Sequence, residues 1–144
     1  MNIYAKLRAG VTTASAEETR TLAAVLARAL PPDSTLALHG DMGVGKTTFV
    51  QGLAQGFGVP EPVTSPTFAI YLVHQGVGRT LVHLDAYRLE NEKQIDALLI
   101  EEFLVRPWCL AVEWPDKIAP WLAPDTLHLT LSIKDGDQHT IRLD

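Results

Sequence analysis

Gly40-Asp41-Met42-Gly43-Val44-Gly45-Lys46-Thr47 decides the reading of this chain. The octapeptide satisfies G-x-x-x-x-G-K-[ST] in full. Each residue type has a chemical reason. The glycines let the backbone turn with successive N–H groups pointing inward, which makes an anion nest. Gly45 precedes a helix whose first N–H groups lack intrahelical partners and face that nest. Lys46 carries a mobile cation to the β- and γ-phosphates, and the Thr47 hydroxyl is a hard oxygen ligand suited to Mg2+. The flanks agree. Leu36-Ala37-Leu38 reads as a buried strand running into the loop. A helix is expected from Lys46 to about Phe57, with Phe49, Val50 and Leu53 on its apolar side and Gly56 and Gly58 ending it.

Further from the loop the pattern alternates between helix and strand. Ile3, Ala5 and Leu7 alternate with Tyr4, Lys6 and Arg8, which predicts a half-buried strand. Ser15-Ala16-Glu17-Glu18 fits a capping box with Ser15 as N-cap, and Leu22, Val25, Leu26, Ala29 and Leu30 continue at helical spacing until Pro31-Pro32. A proline-rich loop spans Val59 to Thr67. Phe68–His74 and Thr80–Asp85 are expected to pair as a hairpin across a five-residue turn, Gln75 to Arg79. Glu92 to about Leu104 reads as a helix with Ile95, Leu98, Leu99 and Phe103 as its stripe. Cys109–Glu113 reads as another buried strand, and Thr126–Ile133 with His139–Leu143 as a closing hairpin around Asp135-Gly136. The expected fold class is therefore α/β. It is a P-loop NTPase-like, three-layer arrangement whose mixed sheet has a parallel centre and antiparallel hairpins.

Length and composition narrow the options. The 144 residues suit one domain, 1–144, and 47% apolar with 20% charged residues is the balance of a packed globular chain. No apolar run approaches the ~20 residues of a membrane-spanning helix, and Met1-Asn2-Ile3-Tyr4-Ala5-Lys6 does not open a signal peptide. No membrane partner is expected, and the expected compartment is the cytoplasm. A net charge of -5 argues against a domain that grips nucleic-acid phosphates by itself. The single cysteine, Cys109, reads as a buried, inert thiol, and the five histidines lack metal-ligand spacing and read mainly as structural.

A phosphate loop also needs an acid at the end of a neighbouring apolar strand, to hold the Mg2+ shell and polarise water. Glu113 ends Cys109-Leu110-Ala111-Val112, and Asp85 ends Leu81-Val82-His83-Leu84. Pattern alone does not rank them. One could serve the metal and the other the water or a moving loop. Arg88 has two readings, charge neutralisation during phosphoryl transfer or a carboxylate pair that ties down the acidic loop, with the second preferred. Trp114 reads equally as a stacking platform or as a cover for the core, whereas Trp108 and Trp121 read as packing residues. No Asn/Thr-Lys-x-Asp loop for guanine is present, so ATP is the expected nucleotide.

Four segments together resemble the TsaE family, also called YjeE. They are the phosphate loop with Thr48-Phe49, then Ser65-Pro66-Thr67-Phe68, His83-Leu84-Asp85-Ala86-Tyr87-Arg88-Leu89, and Val112-Glu113-Trp114-Pro115. Their order and spacing match across nearly the whole chain. The resemblance implies the ATPase subunit of the bacterial system that makes threonylcarbamoyladenosine at position 37 of tRNA. It would work with TsaD, which transfers the threonylcarbamoyl group, and with TsaB, meeting tRNA only through that complex. ATP hydrolysis would reset the complex between turnovers. Carried over by position, the resemblance implies that Thr47 and Glu113 ligate Mg2+. Asp41, Met42, Gly43, Val44, Gly45, Lys46, Thr47 and Thr48 would hold phosphates. Asp85 would be needed for hydrolysis beside Glu113 and Lys46, and Ser65, Pro66, Thr67 and Phe68 would sense the nucleotide state. Met42 and Val44 replace the family's commoner Leu and Ala, and both side chains are expected to point away from the nest. Ala69 to His74 is less typical, which leaves partner contacts from that hairpin open. Two other functions stay in play: a small-molecule kinase of the P-loop class, and a nucleotide-gated binding protein without turnover. The absence of an arginine-rich lid insert favours the switch subunit over the kinase.

Overall fold

A computed structural model of the chain describes residues 2–66 and 70–144. Its centre is a seven-stranded mixed sheet in the order β1-β7-β6-β2-β5-β4-β3. The strands are β1 (Val11–Thr13), β2 (Ser34–His39), β3 (Tyr71–Gln75), β4 (Thr80–Asp85), β5 (Trp108–Glu113), β6 (Leu127–Asp135) and β7 (Gln138–Leu143). β6, β2, β5 and β4 run parallel. β3 is added antiparallel to β4, and β7 antiparallel to β6. The expected parallel centre with antiparallel hairpins is present. The short edge strand β1, paired antiparallel to β7, was not foreseen.

Strand alternation sorts the core onto two faces. Leu36, Leu38, Leu81, Cys109, Ala111, Leu129 and Leu131 point to one face and are covered by α1 (Ile3–Ala9), α2 (Ala16–Ala29) and α3 (Lys46–Gly56). Val82, Leu84, Leu110 and Val112 point to the other, which is covered by one-turn pieces around Ile95, Ile100 and Ile118. The layers are therefore three, but only one outer layer is built from long helices. Among the described residues, no helix is long and apolar enough to cross a membrane.

Two expectations are corrected. Residues 3–9 form a helix, because Asn2 caps it by accepting from the Ala5 N–H at 2.8 Å. Ile3 and Leu7, which looked like alternate strand positions, are one helical turn apart and bury the same face. Residues 92–104 do not form one helix. A single turn, α4 (Lys93–Asp96), is followed by Leu99 in the left-handed region at φ 54 and a 3-10 turn at Ile100–Phe103. The break lets Ile95 and Ile100, five residues apart, both be buried, while Leu99 and Phe103 of the expected stripe are exposed.

α2 begins as its sequence implies. Ser15 accepts from the Glu18 N–H at 3.1 Å, and the Glu18 carboxylate accepts from the Ala14 N–H. Its buried face is Thr19, Ala23, Ala24, Leu26 and Ala27, so Val25 of the expected stripe lies outside. The small residues matter because α2 packs closely on α3. A Cβ added at Gly52 would meet Ala23 Cβ at 2.6 Å, and one at Gly56 would meet Ala27 Cβ at 2.6 Å. Gly56 thus belongs inside the helix as a contact residue, and Gly58, at φ 75, follows its end.

Parallel β2, β5 and β4 finish on one edge of the sheet at His39, Glu113 and Asp85. β2 has its parallel neighbours on both sides, so the loop leaving it opens at the point where the strand order diverges, the usual place for a ligand in an open α/β sheet. The β6–β7 turn lies on the same edge.

Candidate nucleotide site

The loop after β2 ends at Gly45, which caps α3 in a left-handed conformation at φ 102 that residues with a side chain resist. No side chain caps this helix end. Its first-turn N–H groups therefore face a cleft of about 510 Å³. The cleft is bounded by Met42 to Thr48 on the loop side, by Ser65 and Ile70, and by Asp85, Tyr87, Arg88, Glu113 and Trp114 from the neighbouring strand ends.

Lys46 is buried at 5% exposure, unusual for a lysine. Its Nζ donates to the Gly40 carbonyl at 2.6 Å and sits 3.4 Å from the Trp114 ring centroid. Burial lowers its pKa, and the carboxylates of Glu113, Asp85 and Asp41 pull it back up. Trp114 adopts φ 57 directly after β5, a backbone conformation costly for a residue with a side chain. Tyr87 packs against the indole with ring centroids 5.2 Å apart. Of the two readings for Trp114, its position in the cleft fits the platform. Trp108 and Trp121 pack against the second core, as expected.

Glu113 is also buried, and its Oε2 accepts from the Thr47 hydroxyl at 3.2 Å and from His83 Nε2 at 2.6 Å. Asp85 is the direct register partner of Glu113 on the adjacent strand. Its Oδ1 accepts from the Tyr87 N–H at 2.9 Å, a local turn two residues on that fixes the carboxylate at the strand end. The two acids that pattern left unranked thus stand side by side, with different environments: Glu113 buried against the threonine, Asp85 at a partly exposed strand end.

The expected site residues mostly converge. Lys46, Thr47, Thr48, Asp85, Glu113 and Ser65 all line the cleft, and Arg88 does as well. Asp41 is exposed at the start of the loop. Pro66 is buried beside the cleft loop and its carbonyl accepts from Ile70 N–H at 3.1 Å. Thr67 and Phe68 lie outside the described residues. Val44 turns into the core, whereas Met42 is 70% exposed at the margin of the cleft. Two histidines to which the sequence reading assigned no role stand at the site, although His83 opens one of the four family-like segments. His83 lies beneath Glu113, and its place in Leu81-His83-Asp85, every second residue of β4, was the available signal. His139 Nδ1 donates to the Val44 carbonyl at 2.9 Å, a contact that 95 residues of sequence separation hide. Among the described residues, no group of three or more His, Cys, Asp and Glu side chains is placed to hold a metal ion.

The family model described as "Threonylcarbamoyl adenosine biosynthesis protein TsaE" matches residues 13–142. The chain belongs to the TsaE family. It is 37% identical over 129 residues to the tRNA threonylcarbamoyladenosine biosynthesis protein TsaE of Bacillus subtilis, covering 90% of this chain and 80% of that protein. The protein of the same name from Streptomyces coelicolor is 38% identical over 126 residues, covering 82% and 81%. Among solved structures, Bacillus subtilis YdiB superposes with a TM-score of 0.76 at 32% identity, covering 93% of this chain and 82% of that one. The mixed α/β fold and the TsaE membership expected from the four segments both hold.

Proposed function

We propose that this chain is a magnesium-dependent ATPase and that its 144 residues form one nucleotide-driven switch domain in the threonylcarbamoyladenosine modification of tRNA, acting with TsaD and TsaB. The observation that carries the reading is the buried Lys46 ammonium at an uncapped helix N-terminus, beside the Thr47–Glu113 pair. The residues present fit a nucleotide with its metal. The free N–H groups of the α3 first turn and the Lys46 cation suit phosphate oxygens, and Thr47, Glu113 and Asp85 offer only hard oxygen donors, as magnesium prefers. Two or three protein oxygens would leave most of a magnesium shell to phosphates and water.

In this reading the residues divide the work. Backbone amides from Asp41 to Thr48 hold the phosphates, and Lys46 exchanges the Gly40 carbonyl for a phosphate oxygen. Thr47 and Glu113 hold the metal, whose bound charge would offset that on the phosphate oxygens. Asp85, fixed by Tyr87 N–H, orients the attacking water and accepts its proton. Ser65, Pro66, Thr67 and Phe68 read the presence of the terminal phosphate. The cytoplasm is the proposed compartment.

Turnover measured with and without TsaB and TsaD tests the proposal. Weak hydrolysis alone and marked stimulation by the pair are expected. Asp85→Asn and Glu113→Gln should bind ATP and fail to hydrolyse it. Failure to bind ATP, or phosphoryl transfer to an acceptor other than water in a labelled-ATP screen, contradicts the reading. The latter outcome would favour the kinase.

A further inference from the structure

The β6–β7 hairpin carried no role in any sequence motif, yet it touches the phosphate loop. His139, the second residue of β7, donates from Nδ1 to the carbonyl oxygen of Val44 at 2.9 Å. A carbonyl only accepts, so the proton sits on Nδ1. Register sets the residue's place: His139 pairs with Ile133 of β6, two residues beyond the buried pair Leu131 and Ile141 and on the same face of the sheet as Ile141. The imidazole also lies beside the next residue of the loop, at ordinary van der Waals distance: a Cβ built on Gly45 would be 3.9 Å from Nδ1.

The peptide that joins Val44 to Gly45 is planar and trans, so its C=O and N–H point in opposite directions. Holding the Val44 oxygen on the hairpin side therefore turns the Gly45 N–H to the opposite side, and Gly45 lines the cleft. Gly45 also has the left-handed φ of 102 that starts α3, and glycine has no side chain to enforce that conformation. We infer that His139 is a positioning residue for nucleotide phosphate, acting through the Val44 carbonyl to keep the Gly45 amide aimed into the nest. This inference rests on the proposed nucleotide site and extends it to a residue outside the loop, the acidic strand ends and the switch segment.

The role requires a donor at this place, not an imidazole as such. Asparagine can present its Nδ2–H near the position of the histidine Nδ1–H, whereas alanine cannot. Calorimetric titration of the full chain with Mg-ADP and with a magnesium complex of a non-hydrolysable ATP analogue tests this, on wild type, His139→Ala and His139→Asn. Loss of one such hydrogen bond corresponds to about a five- to tenfold weakening. His139→Ala should weaken both nucleotides by about that factor, and His139→Asn should recover most of it. kcat at saturating ATP should stay close to wild type in both variants while KM follows the affinity. A thermal melt of each variant separates folding from positioning: a lower Tm with unchanged affinity would assign His139 a purely structural role and overturn the inference. Equal affinity for wild type and His139→Ala, or equal losses in both variants, would also overturn it. If wild type itself takes up no nucleotide, the proposed function falls first and this inference with it.

Discussion

Lys46 concentrates the physics of the site in one side chain. Its ammonium has left water for a carbonyl oxygen and an aromatic face, and burial accordingly lowers its pKa. The sign has two consequences. For folding, the unfolded chain holds this proton more tightly than the folded one, so the Lys46 contribution favours folding increasingly as pH rises through the window below the ordinary value of 10.5. For binding, phosphate oxygens favour the charged form, so the pKa is higher with nucleotide than without. Nucleotide affinity then declines as pH rises through the lowered Lys46 pKa of the free chain, with proton uptake on binding in that range. Calorimetry in buffers of different ionisation enthalpy checks the proton count. Lys46→Ala should abolish binding at every pH. The lysine, the threonine and both acids were legible because their chemistry demands fixed residue types at strand and helix ends. His139 was not, because nothing local marks a histidine whose partner is a backbone carbonyl on another element.

At the scale of elements, the helix pair α2–α3 is what holds the phosphate loop against the sheet. Its closeness depends on glycine: at Gly52 an added methyl would collide with Ala23 Cβ at 2.6 Å and with the backbone around Arg20. Helix propensity favours alanine over glycine by about 1 kcal/mol, but overpacking a tight contact costs about 1–3 kcal/mol. The contact should dominate, so Gly52→Ala should lower stability in urea unfolding, and a stabilised variant would show that the helices can move apart freely. The elements legible in advance were those with strong local punctuation, such as Ser15 with Glu18, the double proline and the glycine loop. Ile3 and Leu7 were misread because one helical turn and two strand repeats both separate residues by four positions. The 92–104 helix was overextended because its break at Leu99 has no glycine or proline. The break comes from burying Ile95 and Ile100 against the sheet, a tertiary demand.

At the scale of the whole molecule, one sheet supports two cores of different construction. Long helices back the face under the phosphate loop, and short turns with Trp114 and Tyr87 nearby complete the opposite rim of the cleft. Cys109 reports on the centre of this arrangement. It is fully buried on β5, and burial pushes its thiol up to about 12. A thiol reagent should leave the native chain unlabelled and react fully in denaturant, with a native-state rate that follows global opening. Prompt labelling at neutral pH would mean that the sheet opens locally beneath the site.

The most direct measurement is a crystal structure of the chain soaked with magnesium and a non-hydrolysable ATP analogue. The account predicts the β- and γ-phosphates against the amides of residues 41–48, Lys46 Nζ moved from the Gly40 carbonyl to a phosphate oxygen, and the metal within reach of Thr47 and Glu113. Density for the analogue elsewhere, or a lysine still bonded to Gly40 with the α3 amides unengaged at saturating analogue, would contradict it.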